Sequence, residues 1–372
     1  MTYIWELDDW PAMTWNSDIL LPLLGRARFA QGAFLSRIQR VGFDLAQEAR
    51  ATVLMEEAIK TSAIEGESLN KRDVRSSVAR CLGLSDFGLC SDNRSVDGLV
   101  SVLFDATHKY SDPLTCAKLQ GWHAALFPTG YSGFYKLTTG DWRGDSPMRI
   151  VSGPIGREKV HFEAPPSARL PQEIDVFLSW WQSSEGVLDG LLRAGLAHLY
   201  FVVIHPFEDG NGRISRALMD MALAQDEKLG VRYYSMSSQI MADRLSYYRA
   251  LESASNATDL DVTAWLVWFL SCYQRALDKS DALIRSVLLR SDFWQRHAQT
   301  SMNDRQKKVL NRLLDVGEGQ FEGGLTTRKY LGLTKVSRAT AFREITDLVA
   351  KGLLVQNSPK GRSVSYDINW HE

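Results

Sequence analysis

The sequence predicts a mainly α protein, with a helical core, one small β-hairpin between helical blocks, and a compact tail of helices followed by a second hairpin. Three observations carry that expectation. Apolar residues recur at three- and four-residue steps, as in Leu45, Ala49, Val53, Leu54 and Ala58, and again in Leu192, Leu196, Leu199 and Val203. Glycines and prolines gather between Gly140 and Pro166 around short β-prone pieces. After Asn303 the pattern shortens into three brief helical stretches and two β-prone runs.

In chain order, residues 1–90 form a helical region that opens with Trp5, Trp10 and Trp15 in polar company. Aromatic anchors that pack a terminal arm onto a core explain these tryptophans better than a binding patch. Residues 91–290 are read as the core. They hold further helices to about 135, then the pieces Ile150-Val151 and Val160-His161-Phe162 separated by turn formers, then helix from Pro171 to about Leu289. Val262 to Tyr273 is the most apolar run, too short to cross a bilayer and interrupted by Thr263 and Ser271, so a buried core helix is expected.

Residues 300–372 make the tail. Helices are expected over Asp304 to Leu314 and Thr326 to Leu331, and a third, N-capped by Ser337, runs to Lys351 and stops at Gly352. Leu353 to Gln356 and Ser363 to Asp367 flank the turn Pro359-Lys360-Gly361. That order is the outline of a winged helix-turn-helix. Arg338, Thr340 and Arg343 would face a groove, with Lys360 and Arg362 on the wing. Lys plus Arg exceed Asp plus Glu by only 12 to 8 from Asn303 on, so DNA binding, protein contact and a homodimer all stay open.

Composition removes several classes. At 372 residues, 45% hydrophobic and 23% charged, the chain can bury a large core, and its net charge of -1 announces neither nucleic acid nor an anionic membrane. The N-terminus lacks the basic-then-apolar layout of a secretory signal. Cys81, Cys90, Cys116 and Cys272 show no CxxC spacing, which points to reduced thiols and a cytoplasmic location. The seven histidines form no HxxxH or HExxH pair, which argues against a zinc enzyme.

The informative stretch runs from Leu191 to Asp226. Helical periodicity stops at His205-Pro206, because a residue before proline is pushed out of helical angles, and resumes at Ile214, Ala217, Leu218 and Met221. The loop between ends in Gly210-Asn211-Gly212, glycines that let the backbone turn and approach a ligand. Free N–H groups at the start of the second helix then make an anion cradle. Arg213 and Arg216, three residues apart, share one face of its first turn. Cations there oppose the helix dipole and call for a compensating anion, which a polyphosphate supplies. Asp209 adds the single carboxylate that suits Mg2+ held with ATP phosphates, and His205 can accept a proton near neutral pH.

The run His205-Pro206-Phe207-Glu208-Asp209-Gly210-Asn211-Gly212-Arg213-Ile214-Ser215-Arg216 resembles the complete signature of the Fic family. The resemblance implies a helical Fic core and transfer of AMP from ATP to a Ser, Thr or Tyr hydroxyl of a target protein, with self-modification as a variant. It implies His205 as the base, Asp209 as the Mg2+ ligand, Gly210, Asn211 and Gly212 as the anion hole, Arg213 on the leaving phosphates, and Phe207 as a core anchor. Gly140 to Gly153 corresponds by the same resemblance to the flap that pins the target as an added strand. Asp243-Arg244-Leu245-Ser246-Tyr247-Tyr248 is similar to the segment that lines the nucleoside, with Tyr247 and Tyr248 as candidate contacts and Asp243 where asparagine is usual.

Thr61-Ser62-Ala63-Ile64-Glu65-Gly66 closes a helix in the first region and is similar to the family's inhibitory motif. Glu65 is expected to pair with Arg216, and ATP would then bind with its phosphates misplaced. Two alternatives stand beside transfer of AMP. The same site could remove AMP or use another nucleotide, or the chain could be a DNA-binding regulator whose Fic domain senses nucleotide.

Overall fold

The computed structural model describes residues 2–39, 43–84, 93–152, 159–256, 258–316, 321–357 and 364–370. It is mainly helical, and the chain folds as two compact units, Met1–Ser280 and Asp281–Glu372. Among the described residues no helix is long and apolar enough to cross a membrane.

The first unit opens with an arm in which Trp5 and Trp10 are anchors. The Trp5 indole N–H donates to the Glu163 carbonyl at 2.7 Å, and Trp10 donates to Glu173 at 2.9 Å while its ring meets Tyr200 edge-on. Helix α1 (Ser17–Ile38) starts where the Asn16 side chain accepts from the Asp18 and Ile19 N–H groups, a cap that contributes about 1 kcal/mol. Arg28 ties α1 to Asp189 and Asp226 at 2.8 and 2.5 Å. Helix α2 (Phe43–Ile64) follows, then α3 (Lys71–Leu82), α4 (Arg94–His108) and α5 (Cys116–Leu126).

The sequence pattern suggests helices throughout residues 91–135, but the end of that stretch is not helical. Behind Pro128 the chain makes a tight hairpin, β1 (Tyr131–Ser132) with β2 (Tyr135–Lys136), because Gly130 and Gly133 take left-handed angles that end helical propagation. The expected hairpin is present further on. Strand β3 (Arg149–Ser152) pairs antiparallel with β4 (Lys159–Glu163), Ile150 opposite Phe162, with a register shift between Ile150 and Val151. Gly153, Pro154 and Gly156 lie outside the described residues, as does Cys90.

Helices α6 (Leu170–Ser184), α7 (Gly190–Ile204), α8 (Asn211–Glu227), α9 (Met236–Ala242), α10 (Arg244–Ser255) and α11 (Thr263–Arg296) complete the core. Helices α7 and α8 lie at its centre, α7 buried from Leu191 to Ile204, so its apolar residues run all round rather than along a stripe. Within α11, Val262 to Tyr273 supplies the buried residues Trp265, Leu266, Phe269, Leu270, Cys272 and Tyr273, as the apolar run predicts.

The second unit contains α12 (Asp304–Val316), α13 (Thr327–Thr334), α14 (Arg338–Ala350) and an antiparallel pair, β5 (Leu354–Gln356) with β6 (Tyr366–Ile368). Ser337 caps α14 by accepting from the Thr340 N–H, and Gly352 turns with φ 74° just beyond its end. Its core is built on Leu310, Leu313, Tyr330, Ile345 and Leu348. Arg338 and Arg343 are exposed on α14, and Thr340 is half-buried. The expected wing tip, with Pro359, Lys360, Gly361 and Arg362, lies outside the described residues.

Candidate active site

The loop between α7 and α8 is shaped by its own sequence. His205 ends α7 in the left-handed region, φ 48° and ψ 59°, rather than in the extended angles that a following proline favours. Its N–H still bonds the Phe201 carbonyl at 3.0 Å, so the helix closes on a residue that costs roughly 1 kcal/mol to hold there. Arg143 holds it: Nε donates to the His205 carbonyl at 2.8 Å, the backbone N–H to the Pro206 carbonyl at 2.9 Å, and Nη2 to the Pro165 carbonyl. Phe207 is fully buried and stacks on His123 with ring centres 4.2 Å apart, a burial that stabilises the loop by about 1.5–3 kcal/mol. The Asn211 amide closes the turn by accepting from the Phe207 N–H at 3.0 Å and donating to its carbonyl at 2.8 Å.

The His205 ring has one nitrogen engaged. Nδ1 faces the Val202 carbonyl at 3.1 Å, which assigns the proton to Nδ1 and leaves Nε2 as acceptor. Burial pushes the imidazole pKa below its usual 6.5, and the Arg143 charge acts in the same direction. The Val202 hydrogen bond and the Glu65 and Asp209 charges oppose that shift without cancelling it. His205 is therefore a neutral base at neutral pH.

At the other end of the loop Gly210, φ 80°, starts α8 with no side-chain cap, so its first N–H groups have no partner within the helix. Arg216 is fully buried and Arg213 nearly so. Each keeps one orphaned atom, Nη1 of Arg216 and Nε of Arg213. Arg216 reaches back to α2, where Nε donates to Thr61 Oγ1 at 2.7 Å and Nη2 to the Thr61 carbonyl at 3.0 Å and Glu65 Oε1 at 2.7 Å. The Glu65 carboxylate raises the Arg216 pKa against the burial that lowers it. It also lies over the helix terminus: a Cβ on Gly212 would fall 2.1 Å from Glu65 Oε1. The chain's own anion thus sits where the cradle faces outward.

Arg213 is held by a residue that sequence reading passed over. Nη1 donates to Glu67 Oε2 at 3.0 Å, the guanidinium lies 4.9 Å from the Phe127 ring centre, and Nη2 is 3.7 Å from Asp209 Oδ1. Asp209 accepts from its neighbour's N–H, Gly210, at 2.5 Å through Oδ1 and from Ser132 Oγ at 2.5 Å through Oδ2. Glu208 pins the same surface segment by accepting from the Thr138 N–H at 2.9 Å. Among the described residues no three His, Cys, Asp or Glu side chains gather to hold a metal by themselves. One carboxylate beside an anion cradle fits magnesium carried in with phosphate oxygens, not a self-contained protein site.

The nucleoside candidates diverge. Tyr247 is buried, its hydroxyl 2.9 Å from His198 Nε2, and it packs among Tyr248, Trp265 and Trp268. Burial holds the His198 pKa down at about 3, so that imidazole is neutral. Tyr248 is 40% exposed and donates from its hydroxyl to the Ile64 carbonyl at 2.9 Å, tying α10 to the end of α2. Asp243 is paired with Arg275 at 3.4 Å. The β4 strand is fastened to the same helix, His161 to Glu252 at 2.8 Å.

Fold and site together define a helical protein with a tight loop between two buried helices, a neutral histidine at its start and two buried, incompletely satisfied arginines at its end. Residues 113–223 match the model of the Fic/DOC family. Residues 3–84 match a domain of unknown function, DUF4172. The chain is 29% identical over 133 residues to a probable protein adenylyltransferase from Aquifex aeolicus (strain VF5), a match covering 35% of this chain and 41% of that protein. It is 31% identical over 121 residues to a protein adenylyltransferase Fic from Nematostella vectensis, covering 32% of this chain and 26% of that protein. The chain thus spans less than half the length of these curated relatives. A crystal structure of a Fic family protein from Desulfovibrio desulfuricans G20 superposes with a TM-score of 0.55 at 19% identity, covering 95% of this chain and 97% of that one. That likeness concerns the fold.

Proposed function

We propose that the chain is a protein adenylyltransferase that moves AMP from ATP to a Ser, Thr or Tyr hydroxyl of a target protein, and that Glu65 restrains it. The observation that carries the reading is the neutral His205 beside a helix terminus with free N–H groups and two buried, incompletely satisfied arginines. In the step proposed, the target oxygen attacks the α-phosphorus and its proton passes to His205 Nε2. The bond from the α-phosphorus to the bridging oxygen breaks, and pyrophosphate leaves with that oxygen. Arg213, Arg216 and the N–H groups of residues 211–213 offset the phosphate charge. Asp209 would hold magnesium, which supplies charge neutralisation when bound.

Glu65 competes for the same guanidinium. While it holds Arg216, the terminal phosphate lacks its partner, and a displacement of about 1 Å at the reacting centre costs roughly 10²-fold. Glu65→Gly should therefore raise target and self labelling by roughly 10²-fold. Intact mass after incubation with each magnesium nucleotide reads the outcome. A gain of one AMP in Glu65→Gly and not in wild type supports the reading. A variant that binds ATP and gains no nucleotide abolishes it.

A further inference from the structure

Two carboxylates at the end of α2 face two guanidiniums at the start of α8, and only the first pair belongs to the inhibitory motif. We infer that Glu67 is a second inhibitory group, one that occupies Arg213 as Glu65 occupies Arg216 and so closes the subsite for the inner leaving phosphate. The inference rests on the nucleotide site proposed above and names a further part of its regulation.

The placement of Glu67 is built into the backbone. Gly66 takes φ 87°, its N–H bonds the Ala63 carbonyl at 3.1 Å, and the Glu67 N–H bonds the Ser62 carbonyl at 3.0 Å. That pair of bonds is a Schellman closure, which turns the residue after the glycine back along the helix it ends. Glu67 is thereby delivered to Arg213, with its carboxylate still part-exposed to solvent. Arg213 cannot follow if its partner leaves, because its side chain is 6% exposed and lies over Phe127. Glu67 is 43% exposed and free to rotate away. The buried partner is the fixed one and the carboxylate is the exchangeable one.

The orphaned Arg213 Nε gives the second indication of a ligand, since one carboxylate oxygen leaves that donor unmet. A phosphate group presents more acceptors from the same side. A nucleotide with a β-phosphate must therefore displace Glu67, and AMP need not. Its apparent affinity is reduced by the fraction of molecules in which Glu67 is away.

Calorimetric titration of the full chain with AMP, ADP and ATP, each with magnesium, tests this in wild type and Glu67→Gln. Binding of ADP and ATP should tighten by about fivefold or more while AMP stays put. Unchanged ADP affinity, or an equal gain for AMP, overturns the inference. If Glu67→Gln melts early, Glu67→Asp, which shortens the reach to Arg213, gives the same readout. The two readings fail separately. Unchanged ADP affinity in Glu67→Gln beside an active Glu65→Gly removes only the role of Glu67. Tighter ADP binding without AMP transfer by Glu65→Gly removes only the transferase.

Discussion

The two ends of the loop between α7 and α8 are held by different kinds of partner. At the His205 end the contacts are to backbone: Arg143 to the His205, Pro206 and Pro165 carbonyls, and the imidazole to the Val202 carbonyl. At the α8 end they are to another segment, where beside the buried Thr61 hydroxyl and carbonyl stand two carboxylates, Glu65 and Glu67, 32% and 43% exposed. No substrate atom can replace the first set. On the proposed reading, a phosphate would replace the two carboxylates of the second. On that reading the proton-handling half is finished before any ligand arrives, and the anion-handling half is the one that a ligand would take over.

Three changes sharpen or break that division. The largest effect is expected from His205→Ala in the Glu65→Gly background, where AMP transfer should fall by roughly 10²–10⁴ while ATP affinity is kept. Radiolabel transfer and calorimetry measure both, and a matching loss of affinity would mean that the ends are not separate. Arg143→Ala should lower kcat by roughly 10²-fold through misplacement of the imidazole, again with little change in ATP affinity. A dissociation constant that moves as far as kcat would contradict the comparison. The smallest effect is on pH. His205 is active when neutral, and burial and Arg143 push its pKa below 6.5, so kcat/KM should fall only as pH drops below that value. Removing the Arg143 charge should move this acid limb upward, toward the ordinary histidine range.

Much of the site was legible because its parts are close in sequence. His205 to Arg216 is one loop and one helical turn, and Thr61 to Glu65 is one face of one helix, so spacing groups the residues within each segment, while the resemblance to the inhibitory motif implied that the two segments meet. The Ser337 cap and the β3–β4 pieces were legible for the same local reason. Arg143 was not, since it acts on backbone carbonyls 22 and 62 residues away and its only signal was a lone arginine in a glycine-rich stretch. His123 was hidden likewise: its role is to stack on Phe207 and accept the Gly140 N–H at Nδ1, which burial favours by holding its pKa down at about 4. Ser132 sits on a hairpin that helical periodicity did not show. Glu67 could have been found from Gly66, because a glycine closing a helix fixes where the next side chain goes. Tyr247 marks the opposite limit: a residue type suited to a nucleoside, placed on a face that only packing decides.

Thr61 has a consequence for how fast the site can respond. Its hydroxyl and its carbonyl both accept from Arg216, and neither bond involves Glu65. When that glutamate swings out, the guanidinium stays aimed by the two remaining bonds and α2 need not slide or unwind. On the proposed reading, exchange between internal anion and incoming nucleotide would then be a rotation about side-chain torsions, an event of picoseconds to nanoseconds at a part-exposed position. Responsiveness would then be set by how often the carboxylate is away, not by the slow opening of a domain.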